Sequence, residues 1–342
     1  MTAATDTGTD AAAPRLGAGA GATRTGARRT WTRYVVRRLG VFALSLWLLV
    51  TFAFAMIHLI PGDPVRAALG VNASPELVAA RRAELHLDEP LLSQYVRYLG
   101  DLVSGDWGVS LQSRLPVTQV IAERLPNTLL LAGLTFVVTL LVALPIGTGM
   151  AVLTQHGRHR LLELGYTGIA MVVSAIPEFL MGVVLVYVFA VRLELLPIAG
   201  NAGPASLVLP VAALSLGSAL ALSRIVRVEL LSVLGRDFVR TARAKRLRPR
   251  RVYLRHALPN ALTATITLGG LLLSGLIAST VIVESIFAWP GLGPTMVSSI
   301  ITKDYPLMQA IVLIYGAMVL TITLVVDIAL SMLDPRSTIR EA

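Results

Sequence analysis

The feature that most constrains this chain is its recurrence of long apolar runs. The first, Leu39–Ile60, holds 22 residues. At about 1.5 Å per residue it is about 33 Å long, enough to cross the ~30 Å hydrocarbon core of a bilayer. Five more follow, at roughly 126–153, 165–191, 205–224, 258–283 and 307–333. Only 15% of the 342 residues are charged and 55% are hydrophobic, whereas a soluble domain is about 25% charged. Backbone polar groups in lipid must be satisfied within the segment, and continuous runs of this length do that as helices. The expectation is an all-α integral membrane protein with six transmembrane helices.

An even number of spans puts both termini on one side, and basic residues choose which. Arg28, Arg29, Arg33, Arg37 and Arg38 precede the first run. With the N-terminus inside, 22 of the 30 Lys/Arg fall on the inner side, as expected for cytoplasmic segments. Both termini are therefore expected in the cytoplasm. A cleaved signal peptide has a shorter apolar region and a small-residue cleavage site. Here the run ends in Ile60-Pro61-Gly62-Asp63-Pro64, and it reads as a retained first span covering 31–60.

The flanking segments follow from composition. Residues 1–30 are Ala/Gly/Thr-rich and read as a disordered cytoplasmic tail. Residues 61–124 form the longest polar region and read as an extracytoplasmic helical insertion. Within it Ser74-Pro75-Glu76-Leu77 carries helix-start chemistry, and Leu91–Val103 reads as a second helix. Asn72-Ala73-Ser74 fits a glycosylation sequon, a weak three-residue pattern. The core of five further spans occupies 125–334, with a cytoplasmic loop at 225–257 and a tail at 335–342.

Several chemistries are excluded. The chain has no cysteine, so disulfides and thiolate chemistry are out. His156 and His159 lack acidic company and read as a solvated loop pair, so no metal site is expected. The net charge of +10 comes with few aromatic residues and clusters at span ends, which reads as topology and not as nucleic-acid binding. A phosphate-binding loop needs Gly-Lys-Ser/Thr, and neither Lys245 nor Lys303 has that setting. Gly147-Thr148-Gly149, Gly217-Ser218-Ala219 and Gly269-Gly270 read as close helix packing.

The loop at 225–257 is the most basic stretch. From Arg236 to Arg255 nine Lys/Arg face one acid, Asp237. Asp237 reads as the N-cap of a helix from Phe238 to about Leu247, ended before Pro249. Phe238, Val239 and Ala242 share one side of that helix; Arg236, Arg240 and Arg243 share another. By composition it is either a topology-fixing loop or an amphipathic helix for lipid or a partner.

The spacing adds more. Arg240-Thr241-Ala242, Arg246, His256 and Leu258-Pro259 fall without a gap on the frame Glu-Ala-Ala, three residues, Gly, nine residues, Ile, one residue, Leu-Pro. That frame is the cytoplasmic signature of bacterial ATP-driven importers. Pro61-Gly62-Asp63-Pro64, Arg124-Leu125-Pro126-Asn127-Thr128, Glu284-Ser285-Ile286-Phe287-Ala288-Trp289-Pro290-Gly291-Leu292-Gly293, Asp304-Tyr305-Pro306 and Leu333-Asp334-Pro335-Arg336 occur in the same order. Over about residues 33–337 the chain resembles permease subunits of the dipeptide, oligopeptide and nickel ABC importers, the binding-protein-dependent transport family.

The resemblance implies a type I importer permease fold in the bacterial cytoplasmic membrane. It also implies a second homologous permease in a heterodimer, two ATPase subunits that hold ATP-Mg, and an extracytoplasmic solute-binding protein. It makes Asp237, Phe238, Val239, Arg240, Thr241, Ala242, Arg243, Ala244, Lys245, Arg246 and Leu247, with Leu258 and Pro259, the coupling element that seats on an ATPase. The apolar side, Phe238, Val239 and Ala242, is the expected dock, and the Arg side is expected to meet acidic groups or lipid. No catalytic residue and no cofactor bound by this chain are expected. Cargo is a peptide or a nickel chelate by the same resemblance.

The family usually has Gly where this chain has Arg246. Either the turn is right-handed here, or Arg246 holds a left-handed conformation at about 1–2 kcal/mol. Glu178, after Pro177 near the centre of the run 165–191, reads either as a pathway group meeting a substrate amine or cation, or as a packing acid. Glu284 reads either as part of an outer gate or as support for the turn it begins. Asp327 reads as a packing or interfacial acid. An ion-driven secondary transporter would need midplane ionisable groups in paired half-repeats, and one central acid without a repeat argues against it. A membrane anchor without transport explains the basic strip but not the ordered motifs.

Overall fold

The computed structural model describes residues 22–59, 65–66, 73–84 and 87–333. The expected turn at 61–64, Asn72 of the sequon, residues 1–21 and the tail from 334 lie outside them. Helix α1 covers Ala22–Leu59, so helix begins eight residues before the expected end of the tail. Two shorter helices follow, α2 (Pro75–Glu84) and α3 (Leu91–Ser104). The Leu77 N–H donates to Ser74 Oγ at 3.3 Å, the cap expected at that start.

Next come α4 (Val117–Thr154), α5 (Arg160–Ala175) and α6 (Glu178–Leu185), which runs on as a π-helix through Arg192. Helix α7 (Val208–Leu234), the short α8 (Asp237–Ala244), α9 (Leu258–Ile286), α10 (Leu292–Ile301) and α11 (Tyr305–Leu333) complete the chain. Among the described residues five helices are long and apolar enough to span a membrane, and six spans result when α5 and α6 count as one.

That bent pair differs from the continuous run expected at 165–191. Its two arms diverge by 96°. Pro177 is the cause: its ring disfavours helical backbone at the residue before it. Ile176 is accordingly extended, at φ −75° and ψ 122°. Helix α7 also runs to Leu234, so Arg224 and Arg227 sit on its cytoplasmic end and not in a loop.

The spans pack through stacked apolar clusters. On the outer side Val117, Val120 and Ile121 of α4 meet Ile277 of α9, Leu292 of α10 and Ile311 of α11. A second cluster joins Leu131, Leu214, Leu276, Phe287 and Trp289. At the inner side Ala151, Leu230, Val233 and Leu234 surround the cytoplasmic elements. Gly147 is where α4 meets α7: a Cβ there would sit 2.5 Å from the Ser223 carbonyl oxygen and 2.7 Å from Val226 Cβ. Helix α1 lies along α11, tied by Gln309 Nε2 donating to the Ala53 carbonyl at 2.8 Å. Near the inner end Arg38 pairs with Asp327 at 3.1 Å, giving that acid an interhelical partner.

Candidate functional site

The cytoplasmic element is built on the inner cluster. Helix α8 starts at Asp237, with extended Arg236 as the flanking residue, one position earlier than the sequence suggested. Val239 and Ala242 are buried against Ala151, Leu230, Val233, Val252, Ala257 and Ala261. This corrects the expected dock. Two of its three apolar residues hold the helix to its own chain, and only Phe238 remains exposed. Arg240, Thr241, Ala244 and Lys245 are exposed with it. The face available to a partner therefore carries one aromatic ring among cations.

The end of α8 explains the frame around residue 246. The Arg246 N–H donates to the Arg243 carbonyl at 2.9 Å, and the Leu247 N–H reaches the Ala242 carbonyl at 3.4 Å. These are the paired bonds of a Schellman cap, which requires left-handed backbone at its C′ residue. Arg246 is that residue, with φ +53°. Leu247 turns back onto the inner cluster and supplies the cap's apolar contact. The chain then re-enters the membrane through Pro249–Arg251, a π-helical Val252–Ala257 and Leu258-Pro259 at the start of α9.

Polar contacts tie this element to the spans. Arg243 donates to Gln155 Oε1 at 3.3 Å, and Gln155 Nε2 donates to the Tyr253 hydroxyl at 2.9 Å. Gln155 belongs to the turn between α4 and α5. Arg227 of α7 donates to Thr154 Oγ1 at 3.0 Å and pairs with Glu163 of α5 at 2.5 Å. Arg243 thus joins α8 directly to the turn after α4, and Arg227 locks α7 to Thr154 and to α5 beside it. Sequence reasoning missed Gln155, Glu163 and Arg227, since nothing local marks residues joined across more than sixty positions.

On the outer side two of the motifs meet. The Trp289 indole N–H donates to the Asn127 carbonyl at 3.1 Å, and Asn127 Nδ2 donates to the Pro290 carbonyl at 2.9 Å. The Leu292 N–H donates to Thr128 Oγ1 at 2.9 Å. Glu284 is fully buried and accepts the Gly293 N–H at 2.7 Å. A Cβ at Gly291 would collide with the Glu284 carboxylate, and one at Gly293 would lie 2.6 Å from the Val281 carbonyl oxygen. These glycines let the carboxylate close the turn between α9 and α10. Asp304 is likewise buried. It accepts from Ser110 Oγ, from the Leu111 N–H at 3.1 Å and from the Gln112 N–H at 3.3 Å. Its partners lie more than 190 residues earlier, so the motif Asp304-Tyr305-Pro306 could be noticed along the chain but its role as a latch could not.

Glu178 occupies a different environment. It is the first residue of α6, half-buried, directly after the break. Ala175 and Pro177 beside it are exposed. The structure does not bring Glu178 and Glu284 together as one site: the first opens a helix at a bend, the second is sealed in a turn. The groups of acids and histidines needed for a metal site are absent among the described residues.

Five apolar spans and a bent sixth, with a short helix packed on the inner side, describe a multi-pass membrane subunit. Residues 143–339 match the family described as binding-protein-dependent transport system inner membrane component, and residues 31–132 match its N-terminal counterpart. The chain belongs to that family. The glutathione transport system permease protein GsiC of Salmonella paratyphi A is 36% identical over 305 residues, covering 88% of this chain and 97% of that protein. GsiC of Escherichia coli (strain K12) is 35% identical over the same shares. An inward-facing structure of the MetNI methionine ABC transporter aligns with 64% of this chain and 97% of its own, at TM-score 0.55 and 18% identity, which supports the fold. The protein is a multi-pass permease subunit of an ABC importer in the bacterial cytoplasmic membrane, with the type I fold that the sequence led us to expect.

Proposed function

We propose that the chain forms half of a translocation pathway for peptides and takes its driving force from separate ATPase subunits through α8. The observation that carries this reading is the construction of α8. Its inner side is fixed by Val239, Ala242 and Leu247, and its outer side presents Phe238, Arg240, Thr241 and Lys245. A rigid helix packed against α4, α7 and α9 transmits a displacement where a flexible loop absorbs it. Two ATPase subunits holding ATP-Mg, a second permease and an extracytoplasmic solute-binding protein complete the assembly in this reading.

The break at 175–177 supports a pathway. Irregular backbone at membrane depth is tolerated where it is covered by protein or lines water. Ala175 and Pro177 are exposed in this chain, so a second permease or an aqueous passage lies against them. Glu178 then faces the passage and meets the amine of a peptide. The 36% identity to a glutathione permease along 97% of its length favours short peptides over nickel chelates as cargo. In this reading Glu284 supports the outer turn and does not touch cargo.

The test is the purified assembly in proteoliposomes. Phe238→Asp with Arg240→Glu is expected to abolish transport-linked ATP hydrolysis while the chain still inserts. Transport and ATPase rates equal to the parent's would overturn the coupling role. Glu178→Gln is expected to weaken uptake of a peptide with a free amine and spare its N-acetylated form; equal uptake of both by parent and variant would remove Glu178 from the pathway.

A further inference from the structure

Helix α3 (Leu91–Ser104) has an apolar arc wider than the surface it covers. At 100° per residue, Tyr98, Leu102, Tyr95 and Leu99 fall on one side of that arc. Leu92, Val103 and Val96 continue it, and Ser93, Ser104, Arg97, Asp101 and Gln94 occupy the opposite side. The first group is engaged. Tyr98, Leu99 and Leu102 pack on Val50 and Ala53 of α1 and Leu313 of α11. The Tyr95 hydroxyl bonds Thr51 Oγ1 at 2.7 Å, and the Phe54 ring meets Tyr95 edge-on at 5.2 Å between centroids. The second group is bare: Leu92, Val96 and Val103 are 74%, 61% and 89% exposed.

The depth of these contacts identifies what lies against the bare side. Thr51 is eight residues before the outer end of α1 at Leu59, and Leu313 is eight residues after the outer end of α11 at Tyr305. At about 1.5 Å per residue, both lie about 12 Å down their spans. A helix resting on both spans at that depth lies beside the acyl chains of the outer leaflet. The polar side is suited to the boundary, since Arg97 is held by Glu89 at 2.7 Å. Burial against the spans pushes the Tyr98 hydroxyl up to about 12, with Tyr95 adding to it.

We propose that α3 is an interfacial helix whose free flank, Leu92, Val96 and Val103, is embedded in outer-leaflet lipid beside the first and last spans. Helix α3 is then clamped to the membrane surface, and does not stand clear of it. Helices with a wide apolar arc and a charged opposite side sink about 5–10 Å into this boundary. The occupant is lipid because the flank carries neither charge nor a side-chain hydrogen-bonding group, and because α3 rests beside a span whose Trp47, Leu48 and Phe52 are bare and apolar as well.

The absence of cysteine makes the test direct. Leu92→Cys, Val96→Cys and Val103→Cys, with Ser93→Cys and Ser104→Cys as polar-side references, are labelled with a nitroxide in the assembled importer. The partner subunits are cysteine-free and the vesicles contain phosphatidylethanolamine and phosphatidylglycerol. Collision with oxygen is compared with collision with chromium oxalate, and retained transport shows that each variant is folded. The expected result is a shift from oxalate-dominated collision at the serines to oxygen-dominated collision at two or more flank positions. Flank positions as open to chromium oxalate as Ser93→Cys would overturn the proposal by placing them in water. Flank positions closed to both reagents would overturn it by showing a protein cover.

Discussion

The substitution Arg246→Gly isolates the cost that this chain carries in its cytoplasmic turn. Arg246 closes the cap of α8 at φ +53°, a conformation that costs a non-glycine residue about 1–2 kcal/mol. Glycine removes that cost but gains freedom in the open chain, which returns about 0.4–1 kcal/mol. The net expectation is a turn more stable by roughly 0.5–1 kcal/mol, or about a two- to five-fold change in the local opening equilibrium. The two amides that make the cap, on residue 246 and Leu247, report that opening directly. Their hydrogen exchange in detergent or nanodiscs is expected to slow by this factor in Arg246→Gly. It is expected to quicken in Arg246→Val, whose branched side chain fits left-handed backbone worse. Unchanged or faster exchange in the glycine variant would refute the reasoning, as would a valine variant that matches the parent.

The outer side offers two further tests. Asp304→Ala removes the acceptor shared by Ser110, Leu111 and Gln112. Losing charged hydrogen bonds of this kind costs roughly 1.5–3 kcal/mol, and proteolysis within 108–116 is expected to accelerate while the spans stay protected. Glu284→Ala leaves the buried Gly293 N–H without its acceptor, at about 1–3 kcal/mol. A lowered thermal midpoint is expected, and Gly291→Ala should lower it too, because its Cβ competes with the Glu284 carboxylate for space. A midpoint unmoved by either change would contradict the turn as described.

Much of the fold was legible because lipid imposes one-dimensional rules. Apolar length marks the spans, Arg and Lys placement orients them, and Ser74 marks its helix start at the residue that caps it. The span from Arg240-Thr241-Ala242 to Leu258-Pro259 holds a short helix, its cap and the return into α9. Amphipathicity misled at one point. Phe238, Val239 and Ala242 share a helical side in sequence, yet an apolar side says only that something covers it. The chain's own inner cluster covers Val239 and Ala242, which leaves Phe238 and the cations around it exposed.

Sequence by itself determined the number and direction of the spans and the family, and it carries no phosphate-loop motif. These depend on local composition and spacing. Only the tertiary structure decided the left-handed state of Arg246, the 96° bend at Pro177, and the roles of Glu284 and Asp304. Each depends on which distant backbone groups arrive within hydrogen-bond reach or on how steric conflict at one residue is resolved. A buried acid and a pathway acid look alike along the chain, and they differ only in what surrounds them.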